Sequence, residues 1–228
     1  MSLRFLKFFI VLWLFPSQSF ANDTRYNAVS LIDFSSQYLQ KGLVWDNTAL
    51  NLDASVDYKN YTVQGQYINS LTDRDAFNGS ISYNYSMEFL YLSTGADIFE
   101  YELLGETVAS IFFEVEGRQE VLGLIPELHF SKSINKSSSD FLNLRLGKEI
   151  YSGDFLLNPY AEFAMGSIYS DNFKSSNILL GVDVVTPMGD DLYISPHLAV
   201  NFPLGSVKEF DEGADTSIEI GIALRKDF

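Results

Sequence analysis

Most of this chain alternates between apolar and polar residues, and a period of two predicts strands rather than helices. Near the C-terminus every second residue of 218–224 is apolar, while Ser217, Glu219 and Gly221 occupy positions between them. The alternation recurs in 50–58, 61–67, 78–85, 107–116, 141–146, 177–185 and 192–202. Successive side chains of a strand point to opposite faces, so each segment has one apolar and one polar face. Helical spacing is not sustained after residue 21, so an all-β fold is predicted.

The first 21 residues have the organisation of a secretory signal peptide. Arg4 and Lys7 precede an apolar stretch over 8–15, and 19–21 (SFA) supplies a small–x–small cleavage site. The apolar stretch is shorter than the roughly 20 residues of a spanning helix, which disfavours an uncleaved anchor. The sequence has no Cys, so no lipoprotein anchor is expected. We expect cleavage after Ala21, which leaves a single domain over 22–228.

The charge of the exported domain argues against two classes of partner. The signal segment holds two of the 15 basic residues and none of the 30 acidic ones, so residues 22–228 carry a formal charge of −17. Nucleic acids and anionic membrane surfaces are bound through basic patches, which this balance disfavours. No stretch after residue 21 reads as a transmembrane helix. Such a chain therefore crosses a bilayer only as a closed barrel, in which every backbone group is paired.

The segments predict twelve strands, an even number that returns the chain to the side on which it began. Their expected bounds are 26–38, 48–58, 61–70, 77–86, 89–98, 107–116, 121–131, 140–149, 155–167, 176–186, 191–202 and 216–228. Tight turns are expected at 59–60, 86–88, 117–120, 150–154 and 187–190, and longer loops at 39–47, 71–76, 99–106, 132–139, 168–175 and 203–215. This alternation of lengths is typical of outer-membrane barrels. We predict a transmembrane, antiparallel, up-and-down β-barrel of about twelve strands with periplasmic termini.

The strand ends carry the expected features of two membrane interfaces. Aromatic residues predict the girdles of such a barrel: Tyr58, Tyr61, Tyr85, Phe89, Phe141, Phe155, Phe202 and Phe228. The last strand has the pattern of an outer-membrane assembly signal, formed by Ile218, Ile220, Ile222, Leu224 and Phe228. A periplasmic β-sandwich or a small lipocalin-like barrel also has alternating strands and is the soluble alternative. The girdles and the alternating loop lengths favour the membrane barrel.

Three motifs resemble a known group of membrane proteins. Residues 36–42 (SQYLQKG) lead into a strand–turn–strand unit that ends at Leu71, and 186–190 (TPMGD) and 202–205 (FPLG) follow later strands. These motifs resemble the TorF type of uncharacterised Gram-negative outer-membrane β-barrel proteins regarded as porins, in which Arg is usual where this chain has Lys41. The resemblance implies a small outer-membrane barrel and gives neither a substrate nor functional residues.

The polar faces of the strands hold more acidic than basic residues. The charged residues expected to line the lumen are Asp53, Asp57, Glu114, Glu116, Glu127, Glu162, Asp183, Glu219, Arg145 and Arg225. Carboxylates along a passage attract cations and repel anions, so we expect a narrow porin for cations or small solutes. The same residues could instead form a hydrogen-bonded plug, as in small filled barrels. The protein would then be a structural or adhesive barrel, and the sequence leaves both possibilities open.

One constellation has a catalytic pattern. His129, Ser131 and Asn143 resemble the base, nucleophile and orienting amide of outer-membrane phospholipase A, another twelve-stranded barrel. Leu128 and Phe130 fit the lipid face, however, which turns His129 and Ser131 inward. An esterase that acts on membrane lipid needs its serine at the lipid face. We therefore predict that the protein is not an enzyme and keep a lipid-acting esterase as the weaker alternative.

No cofactor or metal is expected. His129 and His197 are isolated histidines, and a zinc site needs three or four converging ligands. The carboxylates of loop 203–215 lack the spacing of an EF-hand and are expected to be solvated. The expected partners are outer-membrane lipids and lipopolysaccharide, the barrel-assembly machinery, and small cations or solutes, but no nucleic acid.

Overall fold

The computed structural model describes residues 26–40, 43–46, 48–70, 75–101, 106–135, 140–167 and 172–228. Twelve long antiparallel strands of these residues form the barrel wall: β1 Tyr26–Ser35, β4 Ala49–Tyr58, β5 Tyr61–Ser70, β6 Ala76–Ser86, β7 Leu90–Tyr101, β8 Glu106–Gly117, β9 Ile125–Ser133, β10 Phe141–Gly147, β12 Phe155–Gly166, β13 Lys174–Gly189, β14 Leu192–Pro203 and β15 Ser217–Asp227. Three short strands lie in the connections: β2 Tyr38–Gln40, β3 Leu43–Asp46 and β11 Ile150–Ser152. The predicted signal peptide and its cleavage site lie outside the described residues.

The wall closes on itself, so the predicted up-and-down barrel is confirmed. Each wall strand pairs with the next one along the chain, and β1 also pairs with β15, from Val29 opposite Asp227 to Ser35 opposite Gly221. Closure leaves none of these strands as a free edge, which is what a lipid environment requires of a sheet. The short strand β11 pairs with β12, while β2 and β3 form a separate hairpin.

The predicted strand bounds differ from the observed ones mainly at turns. Strand β9 begins at residue 125 rather than 121, because Val121 and Leu124 form a two-way bridge that closes a tight turn. The two residues inside this turn, Leu122 and Gly123, have φ of 56° and 80°, a left-handed conformation that a regular strand excludes.

Connection lengths alternate less than predicted. Strands β7 and β8 extend to Tyr101 and Glu106, so only residues 102–105 separate them, whereas 118–124 separate β8 from β9 at the other end. The connection 204–216 contains a helix that strand periodicity did not predict, α1 (Gly205–Phe210). None of the helices in the described residues is long and apolar enough to cross a membrane.

The outer face of the wall is apolar along its length. Ile218, Ile220, Ile222 and Leu224 of β15 are 42–61% exposed, and large apolar residues on the other wall strands are exposed as well. Contiguous apolar surface of this extent is unusual for a protein in water and is what a band of lipid-facing residues provides.

Aromatic residues lie at both ends of the strands, but one residue of the predicted girdles is buried. Tyr61, Phe89 and Phe155 are exposed near the short turns, and the rings of Tyr61 and Tyr83 meet edge to face at 5.2 Å. Phe141 was predicted to belong to a girdle, but it is buried. It begins β10 on the face of Asn143 and Arg145, because the outward positions of that strand are taken by leucines.

Candidate functional site in the charged interior

The polar faces of the strands point to the inside of the barrel. Arg145 on β10 reaches Asp183 on β13 across β12, and His197 on β14 reaches Asp33 on β1 across β15. Side chains on strands two positions apart approach this closely only on the concave side of a closed sheet. The apolar positions between them therefore face outward, because adjacent side chains of a strand point in opposite directions.

Arg145 lies at the centre of one group of interior charges. Its guanidinium nitrogens lie 3.7 Å from Glu162 Oε1, 3.8 Å from Asp183 Oδ2 and 3.9 Å from Glu127 Oε1. The register explains two of these pairs, since Arg145 is directly opposite Glu127 on β9 and Glu162 on β12. The guanidinium also lies 4.0 Å from the ring centroid of Tyr160, a cation–π contact.

A glycine makes room for that aromatic ring. Tyr160 is opposite Gly181 on β13, and a Cβ at Gly181 would lie 2.3 Å from the ring. Glycine is therefore required at this position, where the ring approaches the backbone closely. Tyr160 thereby supports Arg145 from the side of β12 and β13.

The group continues from Arg145 to β8. Asn143 donates a hydrogen bond to Glu162 Oε2 at 3.1 Å, and His129 Nδ1 lies 3.5 Å from Glu114 Oε2. The imidazole also stacks on Phe112, with ring centroids 5.8 Å apart. A cavity is lined by Glu114, Glu127, Leu128, His129, Asn143, Arg145 and Glu162.

His197 is the centre of a second group, although the sequence indicated an isolated histidine. Its Nε2 lies 3.8 Å from both Asp33 Oδ1 and Glu219 Oε1, and Asn51 donates a hydrogen bond to Asp33 at 3.3 Å. The ring lies over Gly221, where a Cβ would be 2.3 Å from Nε2. Sequence reasoning missed Asp33. Its position between Ile32 and Phe34 places it on the polar face and was the available signal.

The other predicted lumen residues lie outside these two groups. Asp53 accepts a hydrogen bond from Gln64 at 2.8 Å, and Asp57 accepts one from Thr62 at 2.5 Å. Their partners are neutral, so both carboxylates remain uncompensated by a cation in these contacts.

Two further residues of the predicted set differ in their surroundings. Glu116 is directly opposite Glu127 across β8 and β9, which places like charges side by side. Arg225 pairs within its own strand with Asp227 at 2.7 Å, near the short-turn end. Only Arg145 of the two predicted arginines therefore balances the central carboxylates. The role of the whole predicted set as a channel lining stays a prediction.

The esterase constellation lacks the contact that its chemistry requires. Ser131 is 2% exposed, and its Oγ has no hydrogen-bond partner among the described residues. A serine nucleophile needs a base within hydrogen-bond reach, whereas His129 and Asn143 contact Glu114 and Glu162. Within the described ranges, no group of three or more His, Cys, Asp or Glu is arranged to hold a metal ion.

No protein-family model and no curated protein matches the sequence. The fold is similar to that of a KdgM porin solved in complex with disordered oligogalacturonate, with a TM-score of 0.59 and 10% identity over 89% of this chain and 99% of that chain. The COG4313 outer membrane channel from Pseudomonas putida F1 is similar at a TM-score of 0.50 and 10% identity, over 89% and 95% of the two chains. At this identity the likeness establishes the fold, that of outer-membrane porins and channels, while the TorF-type resemblance stays a prediction.

Proposed function

We propose that the protein is a narrow channel in the outer membrane of a Gram-negative bacterium, and that it passes cations or small solutes through an acidic interior. One observation carries the proposal. Among the described residues, the two interior groups together contain one permanently charged cation, Arg145, and six carboxylates: Asp33, Glu114, Glu127, Glu162, Asp183 and Glu219.

The physical consequence of this imbalance is an attraction for cations. Charges that line a passage with low-dielectric walls interact more strongly than charges in bulk water, and such walls focus the field along the passage. Arg145 neutralises at most one of its three carboxylate neighbours. Asp53 and Asp57 on the opposite side add to the same sign of potential, because their hydrogen-bond partners are neutral.

The acidic interior also indicates which solutes are disfavoured. The KdgM porin shares this fold and was solved with oligogalacturonate, a polymer of anionic sugars. A wall lined with carboxylates repels such a polyanion, so we do not extend that ligand to this chain. A wall of twelve strands lies between filled eight-stranded barrels and water-filled sixteen-stranded porins in size, which favours a narrow passage.

The outer face supports the proposed location. Its apolar surface would contact outer-membrane lipid and lipopolysaccharide, and Phe228 ends the chain on the same exposed face as Ile222 and Leu224. We propose that this last strand is what the barrel-assembly machinery recognises. The predicted signal peptide would export the chain to the periplasm.

The test is a planar-bilayer recording of the refolded protein under a salt gradient. We expect discrete current steps with a cation-selective reversal potential, and the double variant Glu114→Gln/Glu116→Gln to shift that potential toward anions. Glu88→Gln/Glu120→Gln is the matched control, because it removes two charges from exposed turns rather than from the wall. An unchanged potential in the wall variant would contradict cation selection by the interior.

The same recording tests the alternative of a plugged structural or adhesive barrel. That barrel would give no current, although the protein would still migrate as a folded, heat-modifiable band on a gel. Silence of this kind would overturn the proposed channel.

A further inference from the structure

One face of the helix α1 in the last long connection is buried, whereas Gly205 and residues 208–210 are exposed. Ser206 and Val207 are both 0% exposed, although the helix is only six residues long and lies between strands in a surface connection. Connecting segments ordinarily run over the protein surface, so two fully buried residues in one of them need a packing partner. The two buried residues therefore indicate that this helix packs against the wall.

One side of α1 contacts an apolar cluster on the interior of the barrel. Val207 belongs to this cluster together with Ala49, Ile68, Ala76, Phe99 and Val108. All five wall residues lie close to the ends of β4–β8 that are on the same side of the barrel as the connection 204–216. Their positions in the alternation are those of the interior face, unlike exposed Ile98 and Ile111 on the same strands. Val207 is therefore inside the rim of the barrel.

The other side of α1 is attached to β13. The hydroxyl of Ser206 lies 3.3 Å from the Ser175 carbonyl oxygen and 3.1 Å from Ser176 Oγ. Lys174 Nζ contacts both carboxylate oxygens of Glu209, at 2.7 and 2.8 Å. Three successive residues at the start of β13 thus hold the helix.

The strand order shows how far α1 reaches. Around the wall the order is β1-β4-β5-β6-β7-β8-β9-β10-β12-β13-β14-β15, so β6 is diametrically opposite β13. The helix is attached to β13, and its Val207 belongs to the apolar cluster on the opposite side of the mouth. It lies at the end of the barrel that holds the connection 204–216, whereas the charged groups of Arg145 and His197 lie further inside.

We infer that α1 is the constriction of the channel and sets the size of the solutes that pass, with Val207 as the residue that holds it in place. The inference rests on the proposed channel function and adds to it a division of roles. The interior carboxylates select for charge, and α1 selects for size. Its attachment includes the serine contacts, a backbone hydrogen bond from Leu204 N to the Ser176 carbonyl oxygen at 2.7 Å and one exposed ion pair, and Val207 supplies its buried apolar contact.

The experiment introduces a carboxylate into the apolar cluster. Val207→Asp would bury an unpaired charge among Ile68, Phe99 and Val108, which is unfavourable enough to displace the helix. We expect a several-fold larger single-channel conductance and entry of larger neutral polyethylene glycols, with little change in reversal potential. The control is Lys208→Asp, which introduces a carboxylate at an exposed position of the same helix, and we expect this variant to exclude the same polymers as wild type.

The outcomes separate this inference from the proposed function. If wild type and Val207→Asp conduct equally and exclude the same polymers, α1 is not the constriction, although the channel stands. If only Val207→Asp conducts, α1 closes the mouth, which supports the inference and overturns the open channel. If both are silent but folded, both proposals fail. Should Val207→Asp give no heat-modifiable band, Val207→Ser repeats the measurement with a substitution that removes apolar contact without adding charge.

Discussion

Arg145 Nη2 on β10 lies 3.8 Å from Asp183 Oδ2 on β13, a contact that passes over the intervening strand β12. The arginine also has Glu127 and Glu162 as neighbours on the adjacent strands. One cation therefore joins carboxylates from three strands of the wall. Arg145 therefore links strands across the interior. It also supplies the main positive charge in a passage that is otherwise negative.

Replacement of Arg145 should separate these two roles. Arg145→Gln leaves three carboxylates without their cation, so we expect stronger cation selectivity in bilayer recordings. It also removes charge-assisted contacts, which we expect to lower the free energy of unfolding in vesicles by on the order of 1–3 kcal/mol. Arg145→Lys keeps the charge but not the planar fork, and should retain selectivity while losing part of the stability. A shift toward anions in Arg145→Gln would contradict this account.

Gly221 should not tolerate a side chain. A Cβ at this position would lie 2.3 Å from His197 Nε2 and 2.9 Å from the Phe34 carbonyl oxygen. Gly221→Ala should therefore push the imidazole away from Asp33 and Glu219, and overpacking of this kind costs about 1–3 kcal/mol. The urea midpoint of the barrel in vesicles measures the loss. Gly147→Ala is the control, because its Cβ would meet only the Pro159 carbonyl oxygen, at 4.0 Å, and an equal loss there would exclude the packing explanation.

Ser131, the serine of the apparent catalytic pattern, should not act as a nucleophile. Ser131 is buried and does not contact His129 through a hydrogen bond. We expect the wild-type protein to release no fatty acid from phospholipid vesicles, and Ser131→Ala to leave the channel current unchanged. If wild type hydrolyses phospholipid and Ser131→Ala does not, the esterase hypothesis would be supported and this prediction would be wrong.

The sequence predicted which residues share a face better than which residues meet. Alternation alone places Glu127 and Arg145 on the polar face, since strand side chains have a period of two. The contact between Arg145 and Asp183 depends in addition on the register of two strand pairs, one of which shifts between Ala164 and Met165. Composition and periodicity contain no record of such a shift.

The sequence patterns did not predict the contact between Asp33 and His197 or the packing of α1, and the two features were missed for related reasons. Asp33 meets His197 only because the first strand pairs with the last, a contact between chain ends that local patterns do not report. The inward packing of α1 depends on five wall strands that must first form the rim. A six-residue helix gives too short a period to be recognised in a chain dominated by alternation.

A charge on the outer face distinguishes a barrel in lipid from a soluble one. Ile81, in the middle of β6, is 53% exposed, and a charge at a position so exposed would be nearly neutral for a protein surrounded by water. In a bilayer the same Ile81→Arg should cost about 2–4 kcal/mol near the midplane. Ser80→Arg is the paired variant on the interior face, where the acidic wall should accept a cation at little cost. Urea unfolding in vesicles should thus separate two adjacent substitutions by at least about 2 kcal/mol, and equal stabilities would mean that this face does not contact lipid.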